Sequence, residues 1–120
     1  MLTKGTRLTA VARTVAIDYK FNSIRKGLLE FLILKIIAAD KVYVADIITR
    51  LSTTDFSTQE GTLYPLLSKL RREDLLDYEW QESEAGPPRK YYKLTAKGRA
   101  QLAELNRYWK YINTTVQSLG

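Results

Sequence analysis

Cysteine and histidine are both missing from the 120 residues. Without cysteine there is no disulfide framework, thiolate zinc site, iron–sulfur cluster or thiol nucleophile. Without histidine the commonest general base and the commonest metal ligand are gone, and with them Ser-His-Asp and Cys-His catalysis. The acids are scattered rather than paired, and no glycine-rich phosphate loop is present. No catalytic residue, metal site or cofactor is therefore expected, and the chain does not read as an enzyme. The lack of cysteine fits a cytoplasmic protein. Long apolar runs are also scarce. The most apolar stretch, Leu28 to Ala39, carries Glu30 and Lys35 and falls short of the ~20 residues a spanning helix needs, so no membrane role is expected. No continuous apolar segment follows the first charges, so residues 1–21 do not read as a secretory signal.

Against these absences stands an excess of positive charge. Nineteen Lys and Arg face 13 Asp and Glu, a net +6, and a small basic protein suits a polyanionic partner. The excess is unevenly placed. Residues 1–26 hold six basic residues and one acid, which leaves 13 basic against 12 acidic residues in the remainder. A case for nucleic acid must rest on where particular cations sit, not on the total.

The chain divides into a basic N-terminal arm at residues 1–22, a helix-rich domain at 23–95 and a C-terminal helix at 96–120. The arm shows both helical spacing (Leu8, Val11, Ala12, Val15) and strand-like alternation (Val15, Ile17, Tyr19, Phe21), so its structure stays open. It reads as an auxiliary phosphate contact or minor-groove arm, as an acid-poor, Thr-rich segment with the composition of an organelle transit peptide, or as a plain tail. Asn22 or Ser23 can cap a helix from about Ile24 to Ala39, apolar nearly all round and so buried on several sides. A short helix follows, about Tyr43 to Leu51. Ser57-x-x-Glu60 has capping-box spacing, and Leu63, Leu66, Leu67 and Leu70 then form one apolar stripe that Pro65 interrupts, predicting an irregular or kinked first part. Leu76, Tyr78 and Trp80 alternate with polar residues as a half-buried strand. Ala85-Gly86-Pro87-Pro88 reads as a turn and Arg89 to Leu94 as a second strand. A last helix runs from about Ala96 to Ser118. The order predicts a mainly α fold with a small β-hairpin: a winged helix-turn-helix followed by a long C-terminal dimerisation helix.

Three constellations could carry function. In a helix-turn-helix the second helix enters the major groove, and its N-terminal residues meet base edges. With the leucine stripe inward, Thr58, Gln59, Thr62 and Tyr64 lie near that end and Ser68, Lys69, Arg71 and Arg72 further along. Gln and Thr suit base contacts, Lys and Arg phosphates. An ordinary surface helix with a basic end complementing its dipole is the competing reading. The second is Gly86-Pro87-Pro88-Arg89-Lys90, either a cationic tip that follows a DNA backbone or a solvated turn. Reaching a duplex with Arg89 and Lys90 requires Glu79, Glu82 and Glu84 to point away. The third is Leu102, Leu105, Trp109, Ile112, Val116 and Leu119, spaced 3, 4, 3, 4, 3, a heptad seam that suits homodimerisation. Packing on the chain's own first helix would also bury it. Trp109 reads either as a packing anchor or as one wall of a site for a small aromatic effector.

The residues also resemble a known family. Gly61-Thr62-Leu63-Tyr64-Pro65-Leu66-Leu67-x-x-Leu70 is similar to the helix signature of the PadR-like transcriptional regulators. Gly86-Pro87-Pro88-Arg89-Lys90-Tyr91-Tyr92-x-Leu94-Thr95-x-x-Gly98 is similar to that family's wing and the start of its last helix. Gly27-Leu28-Leu29-Glu30 resembles its first helix, and the likeness spans about residues 23–119. The resemblance implies a cytoplasmic dimeric repressor of the small branch. Such a protein binds pseudo-palindromic double-stranded DNA with a recognition helix and wing from each subunit. Thr62, Tyr64, Arg89 and Lys90 fall inside the matched motifs; Thr58, Gln59, Lys69 and Arg72 rest on helix position. Some relatives of that branch take flat aromatic compounds between paired tryptophans, and Trp109 would align there. Three features depart from the pattern: residues 1–22, Val42-Tyr43-Val44 where relatives have a glycine-aromatic pair, and Asp74 where a glycine commonly ends the recognition helix. The alternative is a winged-helix protein-interaction module, motivated by Glu79, Glu82 and Glu84.

Overall fold

The computed structural model describes residues 21–120. The expectation of an arm falls almost wholly outside them; its last residue, Asn22, opens the first helix. That helix, α1 (Asn22–Ala39), buries Phe31, Ile33, Leu34, Ile36 and Ile37, as its all-round apolar character requires. Asp40 leaves it in an extended conformation. The short helix α2 (Val44–Leu51) places Val44, Ile47 and Leu51 inward, and Asp46 turns back to accept the Tyr43 N–H at 3.0 Å.

The third helix, α3 (Glu60–Arg72), buries Leu63, Leu67 and Leu70. One expectation about its start needs correction. Ser57 does not cap it: the helix begins at Glu60, with Gln59 extended at the cap position and no side-chain cap. The cause lies just upstream. Thr58 is buried and donates its hydroxyl to the Phe56 carbonyl at 2.7 Å, and this local bond competes with helix formation. Pro65 lies inside the helix, which continues through it. The donor that Pro65 lacks would have served Gly61, an exposed residue with open space where a side chain would stand, so the missing bond falls at the surface rather than in the core.

The end of α3 is a Schellman motif. Leu75 N–H reaches the Leu70 carbonyl at 3.0 Å and Asp74 N–H the Arg71 carbonyl at 2.9 Å. Asp74 takes φ 64° to make this possible, a conformation an L-residue adopts at a cost and glycine does not.

Strands β1 (Leu76–Ser83) and β2 (Gly86–Leu94) pair antiparallel, Leu76 opposite Leu94 and Gln81 opposite Arg89. The prolines sit inside β2 rather than in the turn, because Ser83 already faces Gly86. Between the Gln81–Arg89 and Ser83–Gly86 pairs β1 has only Glu82, whereas β2 has Pro87 and Pro88. The two residues without N–H donors thus occupy a bulge, where none is needed. On the other edge of β2, Val42 exchanges both backbone bonds with Tyr92, at 3.2 and 2.8 Å.

Thr95 starts the last helix, α4 (Ala96–Leu119), and accepts the Gly98 N–H at 2.9 Å. Its own hydroxyl donates to the Asp74 carbonyl at 2.6 Å and its N–H to the Leu75 carbonyl at 3.1 Å. Gly98 packs flat on the Leu75 backbone, leaving no room for a side chain. The wing, the end of α3 and the start of α4 are therefore one locked joint. The core below it joins Ile33 and Leu34 of α1 to Ile47, Leu63, Leu67, Leu76, Tyr92 and Leu94.

Candidate nucleic-acid interface

Helix α3 offers one face to the core and one outward. Gln59, Thr62, Arg71 and Arg72 are exposed, and Tyr64 is 45% exposed. Thr58 does not join them, because its side chain is buried and its hydroxyl engaged. Lys69 is exposed but compensated. Its ammonium lies 2.6 Å from Glu30 of α1 and 3.7 Å from Glu73, and the bond to Glu30 raises its pKa above the ordinary lysine value.

Tertiary packing brings the hairpin against the N-terminal half of α3. Tyr64 and Glu60 line one recess with Tyr43, Arg89 and Lys90. The two wing cations take opposite sides of the ribbon, because neighbouring strand residues alternate. Arg89 lies with its guanidinium 5.0 Å over the Tyr43 ring. Lys90 is half-buried, its ammonium 4.4 Å from the Tyr78 ring and 5.3 Å from Trp80. Both cations border α3, one on each side of the strand.

The acids of the wing separate in the same way. Glu79 shares the Arg89 side and is held there by Lys41 at 2.6 Å and Lys93 at 3.4 Å. The hydrogen bond from Lys41, then that from Gln81, pulls the Glu79 pKa down to about 2. Its charge is thus partnered by two ammonium groups. Glu82 and Glu84 remain exposed toward the tip.

Two cations enter the site that helix and wing patterns did not single out. Arg25 and Lys26 of α1 line a recess with Ser57, Gln59 and Thr62 at the start of α3. Arg25 donates to the Asp55 carbonyl at 2.6 Å and stacks 4.9 Å over the Phe56 ring. The charge asymmetry of residues 1–26 was the signal for them. The packing of α1 against the helix-turn-helix decides where that charge goes.

The heptad seam of α4 splits. Leu102 and Leu105 pack on the chain's own core and Ile112 is half-buried. Trp109 is 45% exposed, Val116 64% and Leu119 84%. Trp109 also borders an apolar groove of about 270 Å³ with Leu28, Phe31, Leu32 and Phe56. Lys35 donates to Asn106 at 3.4 Å across one end of it.

Among the described residues no group of His, Cys, Asp and Glu is arranged to hold a metal, and no helix is long and apolar enough to cross a membrane. The profile of the transcriptional regulator PadR-like family matches residues 33–104. A PadR-like transcription factor structure from Bacteroides fragilis is 48% identical, covers 86% of this chain and all of its own, and superposes with a TM-score of 0.74. A PadR-like transcriptional regulator from Bacillus cereus is 40% identical over 81% of this chain and 95% of its own, with a TM-score of 0.73. A PadR family transcriptional regulator from Eggerthella lenta is 28% identical over 90% and 95%, with a TM-score of 0.74. Helix-turn-helix, wing and trailing helix thus agree with profile and relatives alike, and the chain belongs to the PadR-like family of DNA-binding transcriptional regulators, which are not enzymes.

Proposed function

We propose that this regulator is a cytoplasmic homodimeric repressor of a pseudo-palindromic operator. In this reading α3 of each subunit enters the major groove, with Gln59, Thr62 and Tyr64 toward the bases. Arg72, Arg89 and Lys90 hold phosphates, with Arg25 and Lys26 as further backbone contacts. Thr58 serves the helix start from inside, and Lys69 contributes only after exchanging Glu30 for a phosphate. The observation that carries the reading is the recess where Tyr64 of α3 meets Arg89 and Lys90 of the wing. Two elements distant in sequence there present one cationic, concave edge.

The dimer follows from the outward half of the α4 seam. Trp109, Ile112, Val116 and Leu119 continue the stripe that Leu102 and Leu105 begin, and a second α4 would cover them. The groove beside Trp109 supports the reading that a small aromatic effector seats there and lowers operator affinity.

A gel shift on the promoter of the protein's own operon at two salt concentrations tests the DNA reading. A sequence-specific shift whose affinity falls steeply with salt is expected. Arg89→Ala should weaken binding on all sequences and reduce the salt slope by about one. Absence of any specific shift would refute the reading.

A further inference from the structure

Trp80 stands out on the wing. It is 61% exposed, a costly place for the largest aromatic side chain. Among the described residues nothing accepts a hydrogen bond from its indole N–H. Its cross-strand partner is Lys90, so indole and ammonium share one face of the hairpin. That face is the one that meets the core lower down, through Leu76, Leu94 and Tyr92. Beyond the core it continues as a ladder of alternating cations and rings. Arg71 of α3 lies 4.3 Å over Tyr78, Lys90 lies 4.4 Å from the same ring, and Trp80 follows at 5.3 Å from Lys90. Tyr78 and Trp80 meet edge to face at 6.2 Å. Glu79 and Gln81 occupy the opposite face. Carboxylates border the ladder at its margins: Asp74 and Asp77 at the root beside Arg71, Glu60 in the recess it shares with Lys90, and the exposed Glu82 two residues beyond Trp80; the Asp77 carboxylate accepts the Tyr78 N–H at 2.8 Å.

We propose that Trp80 is itself a DNA-contacting residue: its indole packs on a deoxyribose of duplex DNA next to the phosphate that Lys90 binds. This rests on the DNA-binding reading and adds a contact outside the matched motifs. The chemistry of the face fits that occupant. A sugar–phosphate backbone presents an apolar ring edge beside anionic oxygens, and the outer end of the ladder presents the Trp80 plate beside the Lys90 ammonium. The indole N–H supplies a donor for a phosphate oxygen. The Lys90 ammonium lies against both rings, 4.4 Å from Tyr78 and 5.3 Å from Trp80, so Lys90 loses less freedom on binding.

The test titrates native protein, Trp80→Ala, Trp80→Phe and Lys90→Ala with the own-operon promoter duplex and with sonicated bulk duplex DNA. Titrations run between about 50 and 200 mM salt. Trp80→Ala is expected to weaken binding to both duplexes about tenfold, with Trp80→Phe recovering most of the loss, since a flat ring suffices for packing. Lys90→Ala should lower the salt slope by about one. Tryptophan emission supplies the second readout. DNA should change the emission of the native protein, and Trp80→Phe, which keeps Trp109, should lose that change while still binding. Native protein that binds DNA with Trp80→Ala binding equally well, or with Trp80→Phe showing the native emission change, overturns the inference alone. Native protein that binds neither duplex overturns both it and the DNA-binding reading. Circular dichroism of Trp80→Ala should match the native spectrum, because the side chain lies outside the core.

Discussion

Replacing Gly98 by alanine tests the joint between wing, α3 and α4. A Cβ at this position would overlap the Leu75 carbonyl oxygen and stand 3.0 Å from its carbonyl carbon. Relief requires α4 and the Leu75 peptide to separate by on the order of 1 Å, the scale on which overpacking costs about 1–3 kcal/mol. The obstacle is backbone, so no side chain can rotate away. It is also tied down, since Thr95 N–H donates to that same oxygen at 3.1 Å and the Thr95 hydroxyl holds the Asp74 carbonyl at 2.6 Å. The cost should therefore reach the upper end, about 3 kcal/mol. Alanine returns about 0.5–1 kcal/mol through helix propensity. The net loss is then about 2 kcal/mol, a fall in Tm of roughly 8 °C for a chain of this size. Thermal unfolding followed by circular dichroism, at one fixed protein concentration because dimerisation shifts the midpoint, reads this directly. Gly61→Ala is the control. It is also helical, but nothing lies within 4 Å of its added Cβ, so it should gain up to about 1 kcal/mol. A Gly98→Ala protein as stable as the native one would refute the reasoning, because the close approach would then impose no constraint.

Three further outcomes are expected. Asp74→Gly should raise stability by about 1 kcal/mol in urea unfolding, since Asp74 holds φ 64° in a Schellman motif that glycine adopts without strain; a loss would show that its side chain matters more than its backbone. Because the folded-state pKa of Glu79 is depressed to about 2, its contribution is present above the ordinary carboxylate range and is lost as pH falls from about 4.5 through 2. The urea midpoints of native protein and Glu79→Gln should therefore differ at pH 7 and converge toward pH 2, and a gap of unchanged size at low pH would contradict the pairing. Trp109→Asp should sediment as a monomer, whereas a stable dimer would show that the outward half of the α4 seam does not form the interface.

Much of this architecture was legible because its signals are local. The stripe Leu63, Leu67 and Leu70 must turn inward wherever the helix goes. Leu76, Tyr78 and Trp80 alternate because a strand has period two. The Thr95-x-x-Gly98 run carries its own geometry, a threonine that caps and a glycine that lets backbone approach backbone. The misplaced details were those where one local contact outweighed another local preference. Ser57-x-x-Glu60 lost its capping box because Thr58 turned inward. Pro87 and Pro88 moved from the turn into a bulge because Ser83 found Gly86 first.

The candidate interface divides along the same line. Residue types and spacing alone determined that a polar, cation-bearing helix face and a cationic wing exist, since those follow from periodicity. Only the tertiary structure decided which cations remain available. Lys69 is compensated by Glu30, 39 residues away, and Glu79 is held by Lys41, 38 residues away. Arg25 and Lys26 join α3 only because α1 packs beside it, and the half of the α4 seam left outward depends on how far α1 covers it. Electrostatic pairing and burial depend on distances between segments remote in sequence, and those distances are set only when the core closes.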